Sequence, residues 1–319
     1  MLQLRCYLFI SVFFFAISTI FAQTSNNFTE ENLKIPQAVG ELVGTLVLPN
    51  NVQKPTVVLL IAGSGATDRN GNNSFAKNNS LKMLAEALAQ QGFASLRYDK
   101  RGIGESAKAM TQEADLRFDD YVNDAEQWLL LLQKDKRVGK IVVLGHSEGA
   151  LIGTLAAQKT KINGYISLAG AGRPIAEVIT EQLAKQPAQV QKESKQIMDS
   201  LLMGHAVKNV PFYLMALYRP SVQPYLISWF RYSPATEIAK LQCPLLIIQG
   251  TKDIQVTLQD AENLRKAAPK ATYTTIDNMN HVLKDIGEDA NENMASYAQP
   301  DRALHVNLVP TIVQFLKKL

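Results

Sequence analysis

Cysteine is almost missing from this chain, which has only Cys6 and Cys243 in 319 residues. Cys6 falls inside a leader-like segment, too early and without the small residues that precede a lipoprotein cysteine. One thiol then remains, and no internal disulfide can staple the fold, even in an oxidising compartment. Cys243 stands between Gln242 and Pro244 at the start of an apolar run, where a buried, inert thiol is expected. A charge excess is missing too. Lys+Arg 33 against Asp+Glu 29 leaves +4, with no dense basic stripe to follow a phosphate backbone. Nucleic-acid binding therefore finds no support. Internal repeats are absent, and low complexity is confined to Asn-rich patches at 70–79 and 288–293, which read as exposed loops.

What is there is an ordinary globular composition, 46% hydrophobic and 19% charged, enough to close a large core. The first residues read as a targeting segment. Arg5 supplies a positive charge, Tyr7–Phe21 is apolar and uncharged, and Ala22 precedes the polar run Gln23-Thr24-Ser25-Asn26-Asn27. The apolar run is shorter than the ~20 residues of a spanning helix. A signal peptide over Met1–Ala22 is expected, leaving a secreted or periplasmic protein of residues 23–319 with no membrane span.

The body of the chain alternates two patterns. Gly40–Pro49 reads as an antiparallel edge strand, and Thr56–Ile61 as a strand buried on both faces. Leu81, Leu84, Ala85 and Leu88 share a helical face that Gly92 ends. Strands over Ala94–Tyr98, Lys140–Leu144, Gly164–Leu168, Leu245–Gln249 and Ala271–Ile276 follow. Helices over Phe118–Gln133, Ala150–Gln158, Leu258–Ala267 and Arg302–Leu316 alternate with them. That rhythm implies an α/β fold with a mostly parallel central sheet and helices on both faces. Arg173–Lys240 breaks it: six prolines and no clear strand, but apolar segments too rich to stay solvated. It reads as a helical insertion between two strands.

The strongest chemical signal is Gly145-His146-Ser147-Glu148-Gly149. This G-x-S-x-G pattern follows a buried strand and precedes helix-forming residues, the context of a nucleophile elbow. A serine hydroxyl is a poor nucleophile at neutral pH and needs a base. His146 lies within the elbow, its side chain directed away, and is expected as a packed histidine. His205 is in the insertion and His305 on the terminal helix, whereas His281 sits in the loop between the last strand and the last helix. That location supplies the base in this fold, so His281 is the candidate. Asp253, just past the strand Leu245–Gln249, completes the order Ser147, Asp253, His281. Asp277 and Asp285 are nearer to His281 in sequence but adjoin a strand end and a helix. Two backbone donors would hold an oxyanion: Glu148 N–H, after the nucleophile, and Ser64 N–H in Gly63-Ser64-Gly65. The latter segment lacks the Gly-Lys-Ser/Thr of a nucleotide-binding loop.

Gly63–Asn72, Tyr98–Ser106, the Ser147 elbow and Asn280–Leu283 resemble α/β-hydrolases of the serine-aminopeptidase-like group, and within it bacterial carboxylesterases of the esterase D type. The resemblance covers nearly all of residues 23–319, including Arg219–Phe230. It implies the α/β-hydrolase fold with a helical cap at about 173–240, and ester hydrolysis without cofactor or metal on a small-molecule ester. Aminopeptidases and thioesterases share much of the pattern, and a non-catalytic binding protein on the same scaffold is a further class. Asp68, Arg69 and Asn72 match the group's loop and read as a hydrogen-bonded clamp. Asp99 and Arg101 read as structural. Trp229 and Phe230, in the apolar insertion, are candidate substrate contacts for short acyl chains.

Overall fold

The structure, a computed structural model, describes residues 27–319, so the leader expected over 1–22 lies outside the described residues. Strands β1 (Phe28–Pro36), β2 (Glu41–Pro49) and β3 (Val57–Ile61) lead into helix α1 (Ser80–Gln90). There follow β4 (Ala94–Tyr98), α2 (Phe118–Lys134), β5 (Ile141–His146), α3 (Glu148–Lys159) and β6 (Gly164–Leu168). Between β6 and the next strand come only helices: α4 (Ile175–Gln182), α5 (Ala188–Leu202), α6 (Met215–Tyr218), α7 (Gln223–Trp229) and α8 (Pro234–Ile238). The chain then returns to the sheet with β7 (Leu245–Gly250), α9 (Leu258–Ala267), β8 (Thr272–Ile276), α10 (Ala290–Ser296) and α11 (Leu308–Leu316).

The eight strands form one sheet in the order β1-β2-β4-β3-β5-β6-β7-β8. From β4 to β8 every pairing is parallel, while β2 runs antiparallel to both β1 and β4. The alternation of strand side chains divides the core in two. Val57, Leu59 and Ile61 of β3 face the layer that holds α2, α3 and the inserted helices. Val58 and Leu60 face α1 and α11. Because all parallel strands end at the same edge, the loops after β3, β5, β7 and β8 converge there.

Four elements differ from the sequence reading. The strand ending at Pro49 is not an edge, because β1 pairs along its whole length. β1 itself is mostly exposed and carries two adjacent glutamates, so no apolar pattern announces it. The terminal helix begins at Leu308 rather than Arg302. Pro310 explains this, since proline fits the first turn of a helix but would clash in its interior. His305 therefore lies in a loop, buried, with its N–H donating to Leu283 O at 2.8 Å. Neither Asn-rich patch is a plain exposed loop. Ala290–Ser296 is helical, capped by Asp289, which accepts from Asn291 N at 2.8 Å. In the first patch Asn78 is buried.

Candidate active site

The elbow at the end of β5 is made by two close approaches. A side chain on Gly145 would lie 2.2 Å from Gly149 O, and one on Gly149 would lie 2.3 Å from Ile61 O. Only glycine permits strand, turn and helix to pack that tightly. Between them Ser147 takes φ 56°, ψ −121°, a region that L-residues rarely occupy. Its N–H donates to Leu168 O at 3.0 Å, and its carbonyl accepts from Ala150 N at 3.0 Å. The strained turn is thus tied to β6 on one side and to α3 on the other.

Asp253 and His281 are brought together by a second close approach. A side chain on Gly250 would lie 2.1 Å from Met279 O, so the turn after β7 lies directly on the loop after β8. Lys252 N–H donates to Met279 O at 3.0 Å, and Asn278 N–H to Thr251 Oγ1 at 2.9 Å. Asn280 is fully buried. Its amide donates to Asn293 Oδ1 (3.0 Å) and Ser296 Oγ (2.7 Å), and its Oδ1 accepts from Lys284 N at 3.0 Å. In this loop His281 Nδ1 donates to Asp253 Oδ2 at 2.8 Å. An imidazole held in that tautomer leaves Nε2 as its acceptor.

The carboxylate of Asp253 receives four donors. Gln249 Nε2 (3.0 Å) joins His281 on Oδ2, and the N–H groups of Gln255 (2.8 Å) and Val256 (2.9 Å) bind Oδ1. Burial alone would raise this carboxyl's pKa, but the His281 charge and hydrogen bond, with the Val256 and Gln255 N–H groups, outweigh it and hold it below the usual value. The rival acids stand apart: Asp277 is exposed, and Asp285 is exposed with His305 at 3.8 Å.

Among the described residues no hydrogen bond joins Ser147 Oγ to His281. They are neighbours through His146, whose ring lies 4.8 Å from that of His281. His146 Nε2 donates to the main-chain carbonyl of His281 at 2.8 Å. Burial first, then the His281 charge, push His146 down to about 3, so the ring is neutral and braces the His281 loop.

A cavity of about 420 Å³ opens beside Ser147 and is walled partly by the inserted helices. Ser64, Glu148 and Ser147 line it, as do Val178, Leu226 and Trp229. Trp229 also stacks on Phe118, with ring centroids 5.4 Å apart. Phe230, just past the end of α7, does not line the cavity; it packs half-buried against the core, because successive residues of a helical turn face different ways. Several wall residues, including Glu113, Arg173 and Gln255, carry no signal in the sequence that marks them as part of the site. Arg101, expected to be structural, does pair with Asp124, yet it too lines the cavity. Cys243 is half-buried rather than buried, and burial raises its thiol pKa.

The loop after β3 is internally bonded. Asp68 Oδ1 accepts from Asn70 N (2.8 Å) and Asn72 N (2.9 Å). Asn72 Oδ1 accepts from the N–H groups of Asn78 and Asn79, both at 2.9 Å. Arg69 reaches Asp99 through its backbone N–H at 2.8 Å and its guanidinium at 3.0 Å. Among the described residues no group of three or more His, Cys, Asp or Glu could hold a metal ion, and no helix is long and apolar enough to cross a membrane.

The sheet order and the elbow at the tip of β5 define an α/β-hydrolase fold. The family described as "Serine aminopeptidase, S33" matches residues 77–223, and one described as "Abhydrolase family" matches residues 12–135. The chain is 28% identical to Esterase EstD of Thermotoga maritima over 258 residues, 77% of this chain, and spans 58% of that relative's length. The resemblance to serine-aminopeptidase-like hydrolases and to the esterase D type rests on these matches. Among solved structures, Est1E of Butyrivibrio proteoclasticus with ferulic acid bound gives a TM-score of 0.61 at 18% identity, over 90% of this chain and 96% of that one. A proline iminopeptidase of Mycobacterium smegmatis gives 0.59 at 15%, over 90% and 98%. At such identities these two likenesses speak for the fold alone.

Proposed function

We propose that the protein is a serine hydrolase of small carboxylic esters, with Ser147 as nucleophile, His281 as general base and acid, and Asp253 holding the imidazole. The observation that carries this reading is a serine on a strained turn, open to a cavity, next in sequence to a histidine that braces the loop of a hydrogen-bonded His–Asp pair. Ser147 attacks the ester carbonyl as His281 takes its proton. Glu148 and Ser64 N–H groups receive the oxyanion, and His281 returns the proton to the leaving alcohol. Water repeats the steps on the acyl-enzyme. The inserted helices act as a cap over the cavity, and the proposed substrates are esters of short acyl chains.

Esters are preferred over peptides with a free amino terminus for an electrostatic reason. Such a terminus needs an uncompensated carboxylate, and both carboxylates lining the cavity are already engaged. Glu113 pairs with Arg219 and accepts from Ser221. Glu148 pairs with Lys100 and accepts from Tyr225. Export follows from the leader reading, and an exported protein whose mass begins near Gln23 would bear it out.

A fluorophosphonate probe should label Ser147. A panel of p-nitrophenyl esters, thioesters and aminoacyl anilides should show turnover concentrated on the short esters. A folded protein that neither labels nor turns over any of them is a binding protein on a hydrolase scaffold. Turnover of the anilides above the esters would reassign it as an aminopeptidase.

A further inference from the structure

Lys100 is among the largest fully buried side chains of the molecule, and nothing in the mechanism above uses it. Its ammonium donates to Gly63 O at 2.6 Å and to Glu148 Oε2 at 2.8 Å, and lies 4.9 Å from the centre of the Tyr121 ring. The second carboxylate oxygen of Glu148 accepts from the hydroxyl of Tyr225, on α7 of the insertion. Both lysine and carboxylate side chains are nearly inaccessible, at 1% and 2% exposure. Taking two charges out of water is costly, and an apolar pair would often serve stability as well. The placement of the two charges therefore calls for another account.

The account lies in which peptide group Lys100 touches. The carbonyl of Gly63 and the N–H of Ser64 belong to one planar peptide unit, so a partner on the oxygen fixes the direction of the N–H. An ammonium on that oxygen also draws electron density through the amide and strengthens the N–H as a donor. This peptide unit stands against the elbow, since a side chain on Gly63 would come within 3.2 Å of Ser147 Cβ. Glu148, meanwhile, contributes the other N–H through its own backbone while its side chain anchors Lys100. We propose that Lys100 is a positioning residue. It orients and polarises the Gly63–Ser64 peptide as an oxyanion donor, and Glu148 and Tyr225 hold it there, so that the insertion is coupled to the oxyanion site. The ammonium is occupied by a carbonyl, a carboxylate and an aromatic face, so it acts on the peptide and not on the substrate.

This inference rests on the ester-hydrolase reading. Its test compares wild type with Lys100→Met and Tyr225→Phe on a short p-nitrophenyl ester, together with the inhibition constant of a trifluoromethyl ketone, whose serine adduct carries the oxyanion. Loss of a whole oxyanion donor costs about 10²–10³ in kcat. A donor that is only mis-set should cost about tenfold to a hundredfold in Lys100→Met, with KM within about threefold and ketone affinity falling in step with kcat. Tyr225→Phe keeps the ring and removes one donor from Glu148, letting the carboxylate draw Lys100 from Gly63. About a threefold to tenfold loss in kcat, again mirrored by the ketone, is expected. A merely structural ion pair would lower thermal stability and leave the folded variants' kcat and ketone affinity alone, and that result overturns the inference. Should Lys100→Met fail to fold, Tyr225→Phe decides on the same two readouts. A wild type inert to esters and to the fluorophosphonate removes the ester reading and this inference with it. An active wild type beside an equally active Lys100→Met removes the inference alone.

Discussion

His146 gives the chain a pH dependence that can be worked out in advance. The ring is buried, donates to the His281 carbonyl at 2.8 Å and is pushed from an ordinary value of 6.5 to about 3. Because the folded-state value lies below the unfolded one, the unfolded chain takes up the proton first as pH falls. The contribution is therefore fully retained above about pH 6.5 and lost progressively between there and about pH 3. At pH 5.0 the unfolded histidine is almost wholly protonated and the folded one almost wholly neutral, which costs about 2 kcal/mol relative to pH 7.5. Urea unfolding of wild type and of His146→Gln at the two pH values isolates this one group, since every other titrating residue is common to both proteins. Glutamine keeps an N–H donor but cannot titrate. His146→Gln should be less stable at pH 7.5, by about 1–3 kcal/mol through packing and hydrogen-bond changes. Between the two pH values it should lose about 2 kcal/mol less than wild type. Parallel losses in the two proteins would refute the assignment of a neutral, buried ring at this position.

Three further outcomes bear on the site. Ser147→Ala and His281→Ala should each cut turnover by several decades in a folded protein. The double variant should be scarcely worse than either, because on the proposed mechanism the two act as a unit; multiplied losses in steady-state kinetics would contradict that. Asp253→Asn places an amide where all four partners are donors, and should cost about 10³–10⁴ in kcat, whereas the exposed Asp277→Asn and Asp285→Asn should stay near wild type. Trp229→Ala should lower the melting temperature by removing the stack on Phe118. It should also move the preferred p-nitrophenyl ester to a longer acyl chain, and an unchanged length profile would take Trp229 out of substrate selection.

The elbow and the His–Asp pair could be found in the sequence because parallel strands convert chain order into spatial order. Ser147, Asp253 and His281 each follow a strand that ends at the same edge of the sheet, so position along the chain stood in for position in space. The strand β1 could not be found that way, since an exposed strand carries no apolar alternation. Nor could the partners of Glu148. Lys100 and Tyr225 look like an ordinary surface lysine and an ordinary core tyrosine, and their meeting depends on how the inserted helices settle against α2 and α3. Arg173 and Arg219 were hidden likewise, because their carboxylate partners come from distant segments.

The pentapeptide Gly145–Gly149 is written with two open positions, yet neither is open in this molecule. His146 points to one side and grips the loop of His281, while Glu148 points to the other and grips Lys100. The glycines answer to nearby backbone, but these two side chains answer to segments far away in the chain. Moving this elbow into a related scaffold, or shuffling it between relatives, would therefore carry hidden obligations. The acceptor would need a carbonyl waiting for the imidazole, and an ammonium and a phenol waiting for the carboxylate. The transferable unit is the five residues together with their three remote partners.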